Sequence, residues 1–294
     1  MSPVAPDLVV ASDLGRALDL EAECLAVLPL KSNLFQISFQ APELARRARP
    51  GEFAQIWVDQ GRLPLLRRPF SLSRAEPDLG VIAFYVGAVG EGSRHLQRFR
   101  PGDRARILGP LGRGFTLPAR RGRSILVSGG LGAAPLPLLA DRLRERGEEL
   151  IWLNGARTRA ELYPDRLLPG GLAEVVRFTE DGSAGEPGLV TAGLGPRLAG
   201  AQRVYACGPN PMLAATFRLL QELAPRTGRA LPLEVSIEAP MGCGFGSCLG
   251  CVIPLRREPG AAGSELGLCC RQGPVLRAEL LDWERLLQQP AHLE

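Results

Sequence analysis

Met241-Gly242-Cys243-Gly244-Phe245-Gly246-Ser247-Cys248-Leu249-Gly250-Cys251 holds three of the chain's seven cysteines at C-x4-C-x2-C spacing. Cys269 and Cys270 follow, just ahead of Arg271-Gln272-Gly273-Pro274-Val275. This is the plant-type [2Fe–2S] spacing, in which a fourth cysteine comes from further along. Two irons sharing four thiolates need a chain wrapped closely around an anionic cluster. Glycine removes the Cβ that would hold the backbone off, and Gly242, Gly244, Gly246 and Gly250 run through the loop. Amide N–H groups can then turn toward the sulfurs and help set the reduction potential. A structural zinc site uses close cysteine pairs, often with histidine. These cysteines do not form two such pairs, and neither histidine is near the loop. Of the adjacent Cys269 and Cys270, only one can readily serve as the fourth ligand.

The 294 residues suffice for two or three domains of about 100–150 residues each. A hydrophobic content of 45% supports sizeable cores. The net charge of +4 and the lack of a dense Lys/Arg run argue against nucleic acid as a partner. The basic residues, nearly all arginine, are scattered as on a solvated surface. No secretory leader is expected, because the first residues carry Asp7 and Asp13 and no basic region. The longest apolar stretch, 125–140, contains Gly129, Gly130, Gly132, Pro135 and Pro137, and is too short and broken to span a bilayer. A thiolate-bound cluster suits a reducing compartment. The expectation is a cytoplasmic protein with no membrane attachment and no internal repeat.

Residues 1–19, rich in Pro, Asp and small side chains, read as a flexible tail. From Leu20 short alternating segments begin: 23–27, 34–39, 53–58, 81–86 and 105–108. Punctuated by turns, they predict an antiparallel β-barrel over 20–118. Near Arg121 the period changes. Ser124-Ile125-Leu126-Val127-Ser128 is a short buried strand running through a glycine turn into an apolar helix that reaches about Arg146. Strands at 151–154, 175–178 and 203–206, with helices between, predict an α/β parallel-sheet domain over 119–232. The cysteine loop and short strands form a small C-terminal unit, 233–294.

Three groups of residues carry further chemistry. In Arg67-Arg68-Pro69-Phe70-Ser71-Leu72-Ser73 a guanidinium can hold a diphosphate by forked hydrogen bonds, and Ser71 offers a donor and an acceptor. Tyr85-Val86-Gly87 ends another strand, and Gly90-Glu91-Gly92-Ser93 opens a helix expected over 94–99, a phosphate-binding arrangement in which Ser93 also reads as a simple N-cap. Gly109-Pro110-Leu111-Gly112-Arg113-Gly114-Phe115 reads as a turn pinning the barrel to the next domain. Ser128-Gly129-Gly130-Leu131-Gly132-Ala133-Ala134-Pro135 lets a pyrophosphate approach a helix start. Tyr205-Ala206-Cys207-Gly208-Pro209-Asn210-Pro211-Met212 ends a later strand at the carboxyl edge, where such sheets bind ligands. Cys24 and Cys207 also read as ordinary buried thiols.

Together these residues resemble the ferredoxin-reductase family of flavoproteins. The resemblance implies that Arg68, Pro69, Phe70, Ser71, Tyr85, Val86, Gly87, Gly92 and Ser93 contact FAD, with Ser93 where a threonine is more usual. It implies that Gly129, Gly130, Gly132, Cys207, Gly208 and Pro209 bind a nicotinamide nucleotide. Barrel, nucleotide domain and C-terminal cysteines in that order most resemble the electron-transfer subunits of two-subunit, NAD-dependent dihydroorotate dehydrogenases, from about Leu20 onward. Glu238-Ala239-Pro240-Met241-Gly242-Cys243 and Cys270-Arg271-Gln272-Gly273-Pro274-Val275 are the specific parts. In that family two residues separate the last ligand from G-P-V, which implies Cys243, Cys248, Cys251 and Cys270 as cluster ligands.

The resemblance further implies an FMN-containing catalytic subunit as partner, in a heterotetramer of two of each. Electrons would pass from that FMN through the [2Fe–2S] cluster and FAD to NAD. No acid–base constellation appears in this chain, so the base acting on dihydroorotate is expected on the partner. Phe245 and Leu249 are candidate contacts with it, or else pack within the cluster unit. Asn154-Gly155-Ala156-Arg157-Thr158-Arg159 offers arginines that can favour a 2′-phosphate, while the family resemblance implies NAD. A reductase feeding an oxygenase, a hydrogenase or ferredoxin-reducing transhydrogenase subunit, and a zinc-bearing interaction module are the competing readings. The last leaves the R-P-F-S and C-G-P segments without a role.

Overall fold

The structure, a computed structural model, describes residues 13–31, 33–58, 65–228, 230–261 and 263–289. Six antiparallel strands come first: β1 (Leu18–Pro29), β2 (Leu34–Gln40), β3 (Phe53–Trp57), β4 (Arg68–Glu76), β5 (Val81–Gly87) and β6 (Arg104–Leu111). They close in the order β1-β2-β5-β4-β3-β6 into a barrel, which leaves no free edge. Period-two alternation puts Phe35, Ile37 and Phe39 of β2 into the core, where they meet Ile56, Leu72, Ile82 and Phe84. Two short helices, α1 (Pro42–Arg47) and α2 (Glu91–Gln97), complete the unit.

Part of the stretch expected as a tail, 1–19, is folded. Residues 1–12 lie outside the described residues, but Asp13–Arg16 forms a 3-10 turn and β1 starts at Leu18, opposite Gly109. The alternation Leu18-Asp19-Leu20-Glu21-Ala22 is already that of a strand with one face inward. Asp19 is held by Arg67 at 3.0 Å and Arg106 at 3.1 Å, and Arg16 reaches the buried Glu52 at 2.7 Å.

The second unit is built on β7 (Arg123–Gly129), β8 (Glu149–Ala156), β9 (Glu174–Thr179), β10 (Glu186–Pro187), β11 (Ala201–Cys207) and β12 (Leu233–Ser236). A hairpin, β13 (Val252–Leu255) with β14 (Glu265–Leu268), precedes the last strand, β15 (Val275–Arg277). The sheet order is β10-β9-β8-β7-β11-β12-β15, parallel except for β15 against β12. Ile125, Leu126 and Val127 are all fully buried, as in a strand covered on both faces. Helices α3 (Leu136–Glu145) and α4 (Asn210–Thr227) supply cover.

Helices expected in the other crossovers are absent among the described residues; loops and the 3-10 turns Asp165–Leu167, Val190–Gly193 and Gly195–Arg197 take their place. Proline and glycine at Pro164, Pro169, Gly170, Gly171, Gly182, Gly185, Gly188, Gly193, Gly195 and Pro196 are too dense for a continuous helix. The boundary expected between 232 and 233 falls between neighbouring strands of one sheet, since β12 pairs in parallel with β11. The last unit, with α5 (Cys269–Gln272) and α6 (Trp283–Leu287), is therefore rooted in the parallel sheet. Asp282 caps α6, its Oδ1 accepting from Arg285 N–H at 3.3 Å, and Trp283 stacks on Phe217 of α4.

Specific bonds fix the units against one another. Arg74 of β4 pairs with Asp141 of α3 at 3.0 Å and donates to Leu167 O at 2.7 Å. Of the turn expected over 109–115, the first three residues finish β6 and Arg113 N–H donates to Gly273 O at 2.6 Å; just beyond it, Thr116 O accepts from Tyr205 O–H at 2.7 Å. Among the described residues no helix is long and apolar enough to cross a membrane.

Candidate cofactor sites and the seam between them

The cysteine loop folds back on its own sulfurs. Cys243 Sγ accepts N–H groups from Phe245 at 3.5 Å, Ser247 at 3.3 Å and Cys248 at 3.4 Å. This wrap needs left-handed backbone at Gly244 and Gly246, and also at Leu249, the non-glycine residue with positive φ (57°) among those described. Burial works against ionising the Cys243 thiol, but these N–H groups outweigh it and bring its pKa down to about 7.

Cys251 Sγ lies 3.2 Å from Cys270 Sγ and accepts Cys270 N–H at 3.4 Å. The Cys270 thiol lowers the Cys251 pKa to about 6, and the same contact pushes Cys270 upward, so the pair gives up one proton readily. Cys269 is fully buried and turned away, its Sγ 4.0 Å from Ile237 O, and burial raises its pKa. Among the described residues no three metal-ligating side chains converge on one point, as a single ion would need. The thiols fall instead into two pairs, 243 with 248 and 251 with 270. That donor set fits a cluster of two irons with two thiolates on each.

On the barrel, Arg68, Pro69, Phe70 and Ser71 open β4 and are only half-buried, whereas Leu72 and Ser73 beyond them are buried. Phe70 turns inward and packs edge-on against Phe84. Pro69 and Ser71 occupy the alternate face. Arg67 is committed elsewhere, forked onto Asp19 and 5.7 Å above the Trp57 ring. Arg68 donates to backbone carbonyls of Leu66 and Arg67, and its stem lies against Gly92: a Cβ on Gly92 would be 3.1 Å from Arg68 Cγ.

The helix expected over 94–99 is α2, 91–97, with Gly90 rather than Ser93 at the N-cap. Ser93 Oγ accepts from Gly90 N–H and donates to Gly90 O, both at 3.0 Å. Val86 points its side chain into the barrel core, so only its backbone is available to a ligand. Tyr85 faces Tyr163 at 4.9 Å, and its buried hydroxyl has no hydrogen-bond partner. Burial raises its pKa.

The glycine turn and the C-G-P loop meet. A Cβ on Gly132 would lie 2.4 Å from Cys207 O and Gly208 Cα, and one on Gly129 would lie 3.1 Å from Pro209 Cδ. Gly130, with φ 53°, makes the turn between them. Across the seam with the barrel, Leu131 sits where a Cβ on Gly87 would be, 2.8 Å from its Cδ1. Burial raises the Cys207 thiol pKa, so the group is neutral near pH 7. The seam between barrel and parallel sheet is marked by Gly87 against Leu131, with the Arg68–Gly92 contact on the barrel side and the Gly132–Cys207 contact on the sheet side.

A family model described as the iron-sulfur cluster binding domain of dihydroorotate dehydrogenase B matches residues 238–282. The dihydroorotate dehydrogenase B (NAD(+)) electron transfer subunit of Desulforamulus reducens is 35% identical over 266 residues, covering 90% of this chain and 98% of that protein. The chain belongs to the family of dihydroorotate dehydrogenase B electron transfer subunits. Its counterpart in Geobacillus thermodenitrificans is 36% identical over 248 residues, 83% of this chain and 91% of that protein. Among solved structures, the NADH-dependent reduced ferredoxin-NADP oxidoreductase aligns with a TM-score of 0.75 at 26% identity, over 91% of this chain and 92% of that one. The ferredoxin NADP+ reductase of Neisseria gonorrhoeae with bound FAD and NADP shares the fold, with a TM-score of 0.59 at 19% identity over 74% of this chain and 99% of that one.

For a member of the dihydroorotate dehydrogenase B family, three residues beside the seam were not among the predicted cofactor contacts. Leu131 is 37% exposed at the barrel–sheet junction. Leu66, 53% exposed, lies against the cluster loop, its Cδ1 3.9 Å from where a Cβ on Gly242 would be. Gln55, fully buried on β3, touches Gly244. For Leu66 and Gln55 local sequence carried no signal, because each is defined by a neighbour far along the chain; Leu131 lay inside the glycine turn, but its contact with Gly87 did not show there. Of the two apolar residues singled out in the loop, Leu249 is 62% exposed, while Phe245 packs in part on the C-terminal core.

Proposed function

We propose that this chain is the electron-transfer subunit of a two-subunit, NAD-dependent dihydroorotate dehydrogenase, acting in pyrimidine biosynthesis. The observation that carries the reading is the pairing of thiols in the cysteine loop, Cys243 with Cys248 and Cys251 with Cys270. In this reading Cys243, Cys248, Cys251 and Cys270 hold a [2Fe–2S] cluster. The 3.2 Å approach of the Cys251 and Cys270 sulfurs supports choosing Cys270 over Cys269.

Arg68, Pro69, Phe70, Ser71, Tyr85, Val86, Gly87, Gly92 and Ser93 hold FAD. The partnerless Tyr85 hydroxyl and the half-buried Arg68–Ser71 segment fit a polar, planar ligand with a diphosphate. Gly129, Gly130, Gly132, Cys207, Gly208 and Pro209 receive the nicotinamide nucleotide. The barrel (20–118), nucleotide unit (119–232) and cluster unit (233–294) divide the work, the last two sharing a sheet.

Bound together, the flavin and the cluster supply the exchange between a hydride and single electrons. The chain's own residues do three things. The loop N–H groups at Cys243 stabilise negative sulfur. The glycine contact at Gly132 lets the nucleotide loop approach Cys207. The Arg74–Asp141 pair keeps barrel and nucleotide unit in register.

NAD is the nucleotide in this reading. Arg157, the residue after β8 best placed for a 2′-phosphate, is paired with Glu161 at 3.0 Å. The partner is an FMN-bearing catalytic subunit in a cytoplasmic heterotetramer of two of each. It meets the face where exposed Leu66 and Leu249 flank the cluster loop.

Reconstitution tests the assignment. The chain alone is inactive on dihydroorotate, and the chain plus its native catalytic subunit reduces NAD at the expense of dihydroorotate. Failure with that subunit, together with fast reduction of a separate ferredoxin or oxygenase, overturns it.

A further inference from the structure

Gln55 sits in the middle of β3 and is completely buried, yet neither Oε1 nor Nε2 has a hydrogen-bond partner. Its neighbours in the strand, Ala54 and Ile56, are buried and apolar. Across the β3–β4 ladder it faces Pro69, inside the segment read as flavin-binding. On its other side the carboxamide presses on the cluster loop: a Cβ on Gly244 would lie 2.7 Å from both Gln55 Cγ and Nε2. Gly244 follows Cys243, whose sulfur already collects three backbone N–H groups. Gln55 is thus a barrel side chain that reaches the loop with a polar end.

A buried amide left without partners is destabilising, because it has given up water and gained nothing in return. Leucine or methionine would fill the same space at no such cost, so a glutamine here implies a partner that arrives with the loaded protein. The chemistry beside it selects that partner. Thiolates and cluster sulfurs are anionic acceptors, and Nε2 is a two-proton donor on the side facing Gly244. Such a bond strengthens when the cluster gains an electron and its sulfurs become more negative. It therefore favours the reduced state and raises the potential.

We propose that Gln55 is a positioning and tuning residue of the cluster, donating its carboxamide N–H to a cluster sulfur and fastening the Cys243–Cys251 loop to the flavin-side strand pair. The inference rests on the reading of that loop as a [2Fe–2S] site and goes beyond it by assigning a ligand-facing role to a residue outside the cysteine motif.

The test uses the full holo-chain with Gln55→Leu and the near-isosteric Gln55→Met. Iron, sulfide and FAD are quantified, and the cluster is then followed by redox titration and by EPR of the reduced state. Both variants keep FAD and iron, and the flavin potential stays at the wild-type value. The cluster midpoint moves to more negative potential, so that at the wild-type midpoint the reduced-to-oxidised ratio falls about 3- to 10-fold. The EPR g-values shift with it. Unchanged midpoint and g-values in both variants overturn the proposal, as does a shift confined to the flavin. Loss of iron and stability with an unaltered midpoint in the clusters that remain marks Gln55 as packing only, and also overturns it. If one variant fails to fold, the other is read. Wild-type protein without a [2Fe–2S] signal instead refutes the cluster reading itself.

Discussion

Gly132→Ala isolates the contact on which the nucleotide end of the seam depends. Gly132 does not adopt a positive φ, so alanine meets no backbone strain there. The effect is purely steric. The new Cβ would lie 2.4 Å from Cys207 O, 2.4 Å from Gly208 Cα and 2.5 Å from Cys207 C, all backbone atoms that no side-chain rotation can move aside. Carbon atoms rest at roughly 3.5–4.0 Å, so the glycine turn and the C-G-P loop must part by about 1 Å. Overpacking of this kind destabilises by about 1–3 kcal/mol, which for a chain of this size lowers Tm by roughly 2–5 °C. The functional consequence is larger. A 1 Å misplacement at a reacting centre can slow a reaction about 100-fold. Stopped-flow reduction of the bound flavin by NADH should slow by about 10- to 100-fold, while FAD and iron contents stay at wild-type levels. Gly188→Ala is the control: φ is 113° and nothing lies within 4 Å, so it strains the backbone of the same unit without driving the loops apart. It should lower Tm with a much smaller effect on the NADH step. A Gly132→Ala protein that reduces its flavin at the wild-type rate would refute the claim that these loops meet at the nicotinamide.

Cys270→Ser should abolish iron binding and the visible cluster absorption, whereas Cys269→Ala, which removes a sulfur pointing away from Cys251, should keep iron and lose only about 1 kcal/mol of stability; iron analysis with thermal melts decides. Arg68→Ala removes the guanidinium beside Gly92, and FAD binding by the isolated chain should weaken about 10- to 150-fold if a charge-assisted diphosphate contact is lost. Equilibrium dialysis measures it, and release of FMN instead of FAD on acid treatment would contradict the flavin assignment. Leu249→Asp and Leu66→Asp, at exposed positions beside the loop, should leave iron, FAD and NADH-driven flavin reduction intact and abolish co-elution with the catalytic subunit on size exclusion. Normal assembly of both variants would remove that face from consideration.

The sequence by itself determined whatever is encoded within a few residues. The C-x4-C-x2-C loop is one such feature, because thiolate spacing and glycine freedom are local properties. The inward and outward alternation of β2 is another, as is the glycine turn after β7, for the same reason. The alternation in Leu18-Asp19-Leu20-Glu21-Ala22 was equally legible, although compositional bias toward a tail masked it.

What only the tertiary structure decided depends on partners distant in the chain. Cys269 and Cys270 are indistinguishable by composition. In α5, successive side chains point roughly 100° apart, so one faces Cys251 and the other Ile237. The glycine- and proline-rich crossovers after β8 and β9 were expected to be helical and are loops and 3-10 turns, because their glycines and prolines cannot sustain a helix. Strands β12 and β15 joined the nucleotide sheet through ladders to β11 and to each other, pairings set by register rather than by motif. Gln55 reads in sequence as one polar residue in a barrel strand. It became part of the cluster's surroundings only when the chain's last quarter folded back over β3 and buried its carboxamide against Gly244.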